Sequence, residues 1–97
     1  MIVKKINDLA LDIQKTPNKY WLNIMKKNRD ATTYYVIAGF DYDSEYNCYQ
    51  LNSILDRLDD IVLDWYDFGV LVRYGYDLLN KEKLEDAYYR IERELIP

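Results

Sequence analysis

Aspartates recur at helical spacing in the second half of the chain. Asp56, Asp60 and Asp64 are four residues apart, with Asp59 and Asp67 close by. Residues four apart are neighbours on a helix surface, where like charges repel by about 0.2–0.5 kcal/mol per pair. The row has three possible interpretations. It is a helix face exposed to water, a surface that binds a cationic partner, or a face neutralised by cations elsewhere in the chain. We take the partner as the working hypothesis, because Asp is a poor helix former and one cation offsets these five acids.

The segment that begins at Asp41 starts like a calcium loop. Asp41, Asp43 and Glu45 place oxygen ligands at alternate positions, as such loops do. Tyr46, however, stands where the sharp turn needs Gly, and Asn52 replaces the bidentate Glu. We therefore expect an acidic turn and no metal site here.

Other kinds of chemistry lack the residues that they need. The chain has no His, the commonest general base, and its one cysteine, Cys48, cannot form a usual zinc site or an internal disulfide. Its three glycines are scattered, so no phosphate-binding loop is present. Carboxylate pairs occur in any acidic domain, and none stands out as a hydrolytic pair. The sequence predicts no catalytic residue, no metal, no cofactor and no enzymatic activity.

Spacing limits what the acidic row could imitate. Helical residues four apart lie about 6 Å apart along the axis, whereas a DNA strand carries a phosphate about every 3.4 Å. The aspartates cannot copy phosphates one for one, but with the acidic turn they could fill a groove that Lys and Arg line for nucleic acid. Nearby tyrosines would supply the uncharged anchors that carry most interface energy. The predicted partner-binding residues are Asp41, Asp43, Glu45, Asp56, Asp59, Asp60, Asp64, Asp67, Tyr42, Tyr46, Tyr49 and Tyr66.

Composition bounds the class of protein. With 97 residues, 11.7 kDa and 49% apolar residues, the chain has the size and hydrophobic content of one domain, residues 1–97. It has a single cysteine, no signal-peptide core, and no apolar run long enough to cross a membrane. These features predict a cytoplasmic protein that does not contact membranes.

Charge is distributed unevenly along the chain. Residues 1–30 contain seven Lys and Arg against three Asp, whereas residues 31–67 contain one Arg against eight Asp and Glu. The net charge of −4 argues against direct nucleic-acid binding, because phosphate contacts supply most non-specific affinity. We expect the partner to be a basic protein that binds or cleaves nucleic acid. The basic segment could also contact the acidic segment of a second copy, so a homodimer is a further expectation.

Apolar spacing in the first thirty residues predicts two helices. Apolar side chains recur at intervals of three and four from Val3 to Ile13. Thr16 followed by Pro17 has the pattern of an N-cap with proline at the first helical position, opening a second helix with an apolar face in residues 20–25.

The middle of the chain combines a strand pattern with a helical one. Residues 32–40 are rich in β-branched and aromatic side chains and predict a strand. Residues 45–50 either return as a second strand or begin a helix, with capping boxes at 47–50 and 53–56 as competing starts. Apolar residues from 51 to 65 then follow the helical period and predict a third helix.

The last third of the chain predicts one more strand and one more helix. Residues 68–74 have strand composition and end at Gly75, and Asn80 can cap a helix with an apolar stripe in residues 84–95. The predicted fold is α+β, with four helices on a small antiparallel sheet of two or three strands. An all-α bundle is the alternative.

In composition the chain resembles phage or plasmid counter-defence proteins such as antirestriction and anti-CRISPR inhibitors, which are short, acidic and without catalytic residues. The resemblance implies a protein-binding inhibitor, of the DNA-mimic type, that blocks a nucleic-acid-handling protein. It assigns no role to any residue. The alternative function is a self-associating structural or adaptor domain.

Overall fold

Along the described residues, 1–95, five strands precede two helices in the computed structural model. The 3₁₀ turn Leu58–Asp60 lies between the last strand and the first helix. The elements are β1 (Ile2–Ile6), β2 (Leu9–Lys15), β3 (Tyr20–Lys27), β4 (Tyr34–Asp43), β5 (Cys48–Ser53), α1 (Trp65–Lys81) and α2 (Leu84–Leu95).

The strands form one antiparallel sheet in which spatial neighbours are also sequence neighbours, in the order β1-β2-β3-β4-β5. Short turns join them, and two turns contain an Asn in the left-handed region, Asn7 at φ 53° and Asn47 at φ 52°. Asn adopts this conformation more readily than other non-glycine residues. In the β3–β4 turn, the Asp30 carboxylate accepts the N–H groups of Thr32 and Thr33, and these bonds lower its pKa.

One face of the sheet carries the hydrophobic core. Cross-strand register places Ile13, Leu22, Phe40 and Leu51 in one row across four strands on this face. Both helices cover it. Buried side chains from the sheet and from the helices then meet in a single cluster, which includes Leu9, Leu11, Ile13, Leu22, Ile24, Ile37, Phe40, Leu71 and Ile91.

Helix α1 approaches the sheet most closely at Gly75. A Cβ atom at this position would lie 2.5 Å from the tip of the Phe40 ring, so only glycine lets the helix backbone come this near. One residue later, the Tyr76 hydroxyl accepts the Leu51 N–H at 2.9 Å and ties α1 to edge strand β5. Helix α2 then returns across β3, where Tyr88 packs against Tyr20 at 5.4 Å between ring centroids.

The two helices predicted in residues 3–13 and from Thr16 are wrong, because those residues form β1, β2 and β3. The Asn7–Asp8 turn divides the first predicted helix into a hairpin, and Leu9, Leu11 and Ile13 then alternate as strand residues do. Thr16 does not cap a helix: its hydroxyl donates to the Lys19 carbonyl and accepts the Lys19 N–H, which closes the β2–β3 turn.

The predicted third helix and the strand at 68–74 are also wrong. Residues 51–53 belong to β5, the residues that follow are irregular apart from the 3₁₀ turn, and α1 begins at Trp65 and contains residues 68–74. Among the buried residues of α1, Phe68, Leu71, Gly75 and Leu78 recur at intervals of three and four. Tertiary packing therefore overrides the strand-forming composition of this segment.

Other parts of the prediction are confirmed. The strand predicted at 32–40 lies largely in β4, and Leu84, Ala87 and Ile91 of the predicted stripe are buried in α2, whereas Leu95 at its end is exposed. Of the two alternatives left open for residues 45–50, the structure has the strand, but its bounds are Cys48–Ser53. Asn80 lies inside α1 and does not start the final helix. The α+β class fits, but five strands and two helices in the described residues replace the predicted four helices on two or three strands, and the all-α alternative is excluded.

Two glycines of α1 give opposite stability predictions for the same substitution. Gly69→Ala should raise the free energy of unfolding by about 0.5–1 kcal/mol, because alanine favours a helix and nothing lies within 4 Å of the new Cβ. Gly75→Ala should lower it by about 1–3 kcal/mol, because the methyl group meets the Phe40 ring. Urea unfolding of both variants measures the two changes, and a stabilised Gly75→Ala protein would contradict the close approach.

Candidate functional site

The predicted partner-binding residues lie in two groups at opposite ends of β5. The hairpin cluster surrounds the β4–β5 turn, and the acidic loop comprises residues 54–64, which connect β5 to α1. Tyr66 and Asp67 follow the acidic loop in the first turn of α1. The two groups are separated by the length of β5, roughly 17 Å at about 3.3 Å per residue. The hairpin cluster contains Asp41, Tyr42, Asp43, Glu45, Tyr46 and Tyr49.

Local hydrogen bonds organise the hairpin cluster. The Asp43 carboxylate accepts the Glu45 N–H at 2.9 Å, as the expected acidic turn requires. Tyr42 and Tyr49 face each other across the strands, edge to face, with ring centroids 5.3 Å apart. Asp41 accepts a hydrogen bond from the Asn52 amide at 2.9 Å. These contacts form a structured acidic turn.

The acidic loop is anchored to the core from its inner side. Leu55, Leu58 and Ile61 pack against the core, and Val62 is buried. The Lys26 ammonium donates to the Ile61 carbonyl at 2.6 Å and pairs with the Asp8 carboxylate at 2.9 Å. These contacts fix the path of a segment that has almost no regular secondary structure.

Asp64 and Asp67, the last two residues of the predicted aspartate row, accept hydrogen bonds from other residues of the chain. The Asp64 carboxylate caps α1 by accepting the N–H groups of Tyr66 and Asp67. Asp67 is 9% exposed and accepts the Asn7 side-chain amide at 2.6 Å, which joins α1 to the β1–β2 turn. Since no helix carries the row, the predicted helical stripe is wrong.

The outer side of the acidic loop is exposed. Asp56 and Asp59 face solvent, and Asp60 pairs with the neighbouring exposed Arg57 at 2.9 Å. Large apolar side chains follow directly, with Leu63 84% exposed, Tyr66 79% exposed and Trp65 half exposed. We call Asp56, Asp59, Asp60, Leu63 and Tyr66 the docking patch.

Leu63 is the one member of the docking patch that sequence reasoning missed. The signal was its position among Asp59, Asp60 and Asp64, off the apolar stripe that was assigned to the core. Beside it lies a cleft of about 820 Å³. The acidic loop forms one wall of the cleft, and residues 26–30 of the β3–β4 turn form the other.

Cations of the basic N-terminal segment are used locally. Within residues 1–95, no ion pair joins this segment to a carboxylate of the acidic loop. Lys26 binds Asp8, and the terminal amine of Met1 binds Asp12 at 2.9 Å. Lys19 lies over the Trp21 ring at 4.0 Å. Asp56 and Asp59 of the docking patch form no ion pair among the described residues and are therefore available to cations from outside the chain, whereas Asp60 already pairs with Arg57.

A lysine–tyrosine cluster on the helical side of the sheet was not foreseen. The Tyr89 hydroxyl oxygen accepts hydrogen bonds from the Tyr20 hydroxyl at 3.2 Å and from the Lys15 ammonium at 3.0 Å. Both bonds stabilise a phenolate, so they lower the pKa of Tyr89. The hydrogen bond between the Tyr20 and Tyr89 hydroxyls, together with some burial, raises the pKa of Tyr20 to about 12. The cluster fixes α2 against β2 and β3.

In residues 1–95, no helix is long and apolar enough to cross a bilayer. The same residues bring together no group of three acidic or cysteine side chains that could hold a metal. Comparison with known proteins found no matching family model, curated protein or solved structure.

Asp64 should prove to be a structural residue. Asp64→Ala removes the cap of α1 and should lower the free energy of unfolding by about 1 kcal/mol. The matched change Asp56→Ala, at an exposed loop position, should alter it by less than about 0.5 kcal/mol. Urea unfolding measures both, and equal effects would contradict the capping role.

The Tyr89 pKa should respond to its two donors. Because the pKa of Tyr89 in the folded protein lies below the usual 10.0, ionisation of Tyr89 increases the free energy of unfolding as the pH rises toward 10.0. Tyr20 acts oppositely, and its contribution is lost as pH rises from 10.0 through about 12. Tyr20→Phe removes the main cause and should raise the Tyr89 pKa, as followed by NMR of labelled tyrosine. The exposed Tyr46→Phe is the control, and an unmoved Tyr89 pKa in Tyr20→Phe would refute this geometry.

Proposed function

We propose that this chain is a small acidic inhibitor that binds a basic, nucleic-acid-handling protein through the docking patch. The observation that carries the proposal is the exposure of large apolar side chains among carboxylates. Leu63 and Tyr66 are 84% and 79% exposed, and Asp56, Asp59 and Asp60 lie within the same eleven residues, 56–66.

Exposed apolar side chains of this size need a reason. A single exposed Leu is common on a protein surface, but apolar side chains that lie together and are rimmed by polar residues are typical of protein–protein contacts. Tyrosine is also enriched at the centre of such interfaces. In the docking patch, the inner residues of the acidic loop hold the backbone in place, so the outer residues are presented to a partner without a large ordering cost.

The charge of the docking patch selects the partner. Among the described residues, neither Asp56 nor Asp59 forms an ion pair with a Lys or Arg of this chain. A basic partner surface could therefore pair with both carboxylates without breaking an existing ion pair. Complementary charge also accelerates encounter and raises specificity. A partner surface rich in Lys and Arg is what a nucleic-acid-binding groove presents.

Inhibition follows from competition for that groove. A carboxylate surface seated on the Lys and Arg side chains excludes the phosphates that they bind. It does so by charge and by apolar anchoring, without copying the spacing of phosphates. The hairpin cluster stays a predicted second contact, about 17 Å away along β5. We place this activity in the cytoplasm, where the lone exposed Cys48 stays reduced.

Charge reversal of the docking patch tests the proposal. Tagged wild-type protein should capture a basic nucleic-acid-handling protein from its native host, identified by mass spectrometry. Asp56→Lys with Asp59→Lys should weaken binding to that purified partner about a hundredfold, because each reversed charge meets like charge. Leu63→Ala with Tyr66→Ala should weaken it about tenfold or more through lost anchors.

A matched reversal elsewhere serves as the control. Asp77→Lys with Glu92→Lys makes the same change in charge on the helices, and it should leave binding within about threefold of wild type. Circular dichroism verifies that each variant folds. Equal losses in both reversal variants would mean that only net charge matters, and unchanged binding in both would remove the docking patch from the interface.

A further inference from the structure

The two edge strands of the sheet differ in how well they are protected against pairing with another chain. An edge strand presents unpaired N–H and C=O groups, and proteins usually blunt it with lysines, proline or a β-bulge. At one edge, β1 contains Lys4 and Lys5, and its register with β2 shifts between Ile2 and Lys4. At the other edge, the described strand β5 contains no charged residue and no proline, and it pairs with β4 without a register shift. Of the two edges, β5 is therefore the unprotected one.

Alternate backbone groups of β5 point away from the sheet. The Ile54 N–H donates to the Ile37 carbonyl, so the even-numbered residues of this segment direct their N–H groups toward β4. The odd-numbered residues therefore direct theirs outward. The Leu51 N–H confirms this direction, because it donates to the Tyr76 hydroxyl of α1 and not to β4. Within residues 1–95, no further strand lies beside β5 on its outer side.

The outward N–H groups of β5 are open to a new strand. Of the three, those of Tyr49, Leu51 and Ser53, the described residues supply an acceptor only to that of Leu51. Carbonyl groups of an added strand would accept from Tyr49 and Ser53 and would replace the Tyr76 hydroxyl at Leu51. Main-chain hydrogen bonds of this kind supply the affinity when an extended peptide joins the edge of a sheet.

Carboxylates flank β5 at both ends. The hairpin cluster contributes Asp41, Asp43 and Glu45 at one end, and Asp56 follows the strand by three residues at the other. Residues 41–56 contain these four carboxylates and no Lys or Arg. The uncharged strand thus lies between two acidic ends, roughly 17 Å apart at about 3.3 Å per residue. This pattern of charge is complementary to an extended segment with cations at both ends.

We propose that the edge of β5 binds an extended, positively charged segment of the partner protein, which joins the sheet as a sixth strand. The uncharged middle of that segment pairs with the outward backbone groups of Tyr49, Leu51 and Ser53. Its Lys or Arg side chains contact the hairpin cluster and Asp56. The identity of the partner rests on the proposed function, whereas the pairing rests on the edge itself. Strand addition would connect the hairpin cluster with the docking patch, which lie at opposite ends of β5.

A second copy of this chain fits the edge of β5 less well. Antiparallel pairing of β5 with β5 would place the hairpin cluster of each copy beside the acidic loop of the other, so like charges would meet at both ends. Pairing with β1 would bring lysines, but the register shift between Ile2 and Lys4 distorts that strand. A basic segment of another protein meets neither obstacle.

Two peptides test the edge of β5 without the partner. The lysine-ended peptide has eight residues, alternating Val and Thr between two terminal lysines, because Val and Thr favour strands. The glutamate-ended peptide differs only in its two terminal residues. In a titration of labelled protein followed by NMR, the lysine-ended peptide should shift the backbone amides of Tyr49, Leu51 and Ser53 most. The glutamate-ended peptide should bind at least about tenfold more weakly, because its ends meet carboxylates.

Proline at position 53 tests whether backbone pairing holds the peptide. Because the Ser53 N–H points away from β4, Ser53→Pro removes an outward donor without breaking the β4–β5 ladder. The variant should bind the lysine-ended peptide about tenfold more weakly than wild type. The matched Ser53→Ala also lacks the hydroxyl but keeps the N–H, and it should stay within about twofold of wild type.

A pair of changes at Gln50 gives the same test without altering the backbone. Gln50 is exposed on β5, so its replacement should leave the fold intact, which circular dichroism verifies. Gln50→Lys should weaken binding of the lysine-ended peptide about fivefold, and Gln50→Glu should strengthen it. Equal binding by the two variants would contradict pairing at this edge, even if Ser53→Pro proves unfolded.

The captured partner separates strand addition from the proposed function. Ser53→Pro should bind that partner about tenfold more weakly than Ser53→Ala does. A partner that responds to reversal of Asp56 and Asp59 but not to Ser53→Pro would overturn strand addition and keep the docking patch. Failure to capture any basic protein, with the lysine-ended peptide still bound at β5, would remove the proposed function and keep the edge site.

Two further results would overturn the inference. One is a lysine-ended peptide that shifts no amides, or shifts amides away from β5. The other is a wild-type protein that dimerises alone in sedimentation velocity and loses the dimer in Ser53→Pro, which would identify a second copy as the occupant of the edge.

Discussion

The contact between Gly75 and the Phe40 ring sets how the rest of the molecule is arranged. Because glycine has no side chain, α1 lies directly on the row of core residues that crosses the sheet. The direction of α1 then determines where the acidic loop must arrive and where α2 must return. Burial is concentrated on one side, and the opposite sheet face is left to solvent or to another molecule.

The acidic loop is held to the core by contacts on its inner side and exposes acidic and apolar side chains on its outer side. Lys26 holds the Ile61 carbonyl, and Asp64 and Asp67 fix the start of α1. The Lys26–Ile61 and Asn7–Asp67 hydrogen bonds are partly buried, where polar contacts count for more than exposed ion pairs do. Among the described residues, the side chains of the neighbouring Asp56, Leu63 and Tyr66 make no such polar contacts, and for this reason we assign binding to them.

Sequence patterns predicted the elements whose signals are local. Residues 32–40 have the composition of a strand and lie largely in β4, which continues to Asp43, and the apolar stripe of α2 has helical spacing. The β1–β2 hairpin was missed because its apolar residues also match a helical spacing, and only pairing of β2 with β3 decides between strand and helix. The spacing of Leu55, Leu58 and Ile61 likewise fits a helix, but an irregular segment brings the same side chains to the core.

The candidate site was predictable in residue type but not in geometry. The acidic and aromatic character of residues 41–67 was visible, whereas its division into two groups depends on β5 being a strand. The capping role of Asp64 and the burial of Asp67 depend on where α1 begins. Neither feature can be predicted when residues 51–65 are taken as one continuous helix.

Hydrogen–deuterium exchange of the protein, free and bound to its captured partner, tests the docking patch most directly. The account predicts slower exchange of backbone amides in residues 54–66 on binding, while amides of α2 exchange at the same rate as in the free protein. Protection of α2 with an unchanged acidic loop would contradict it.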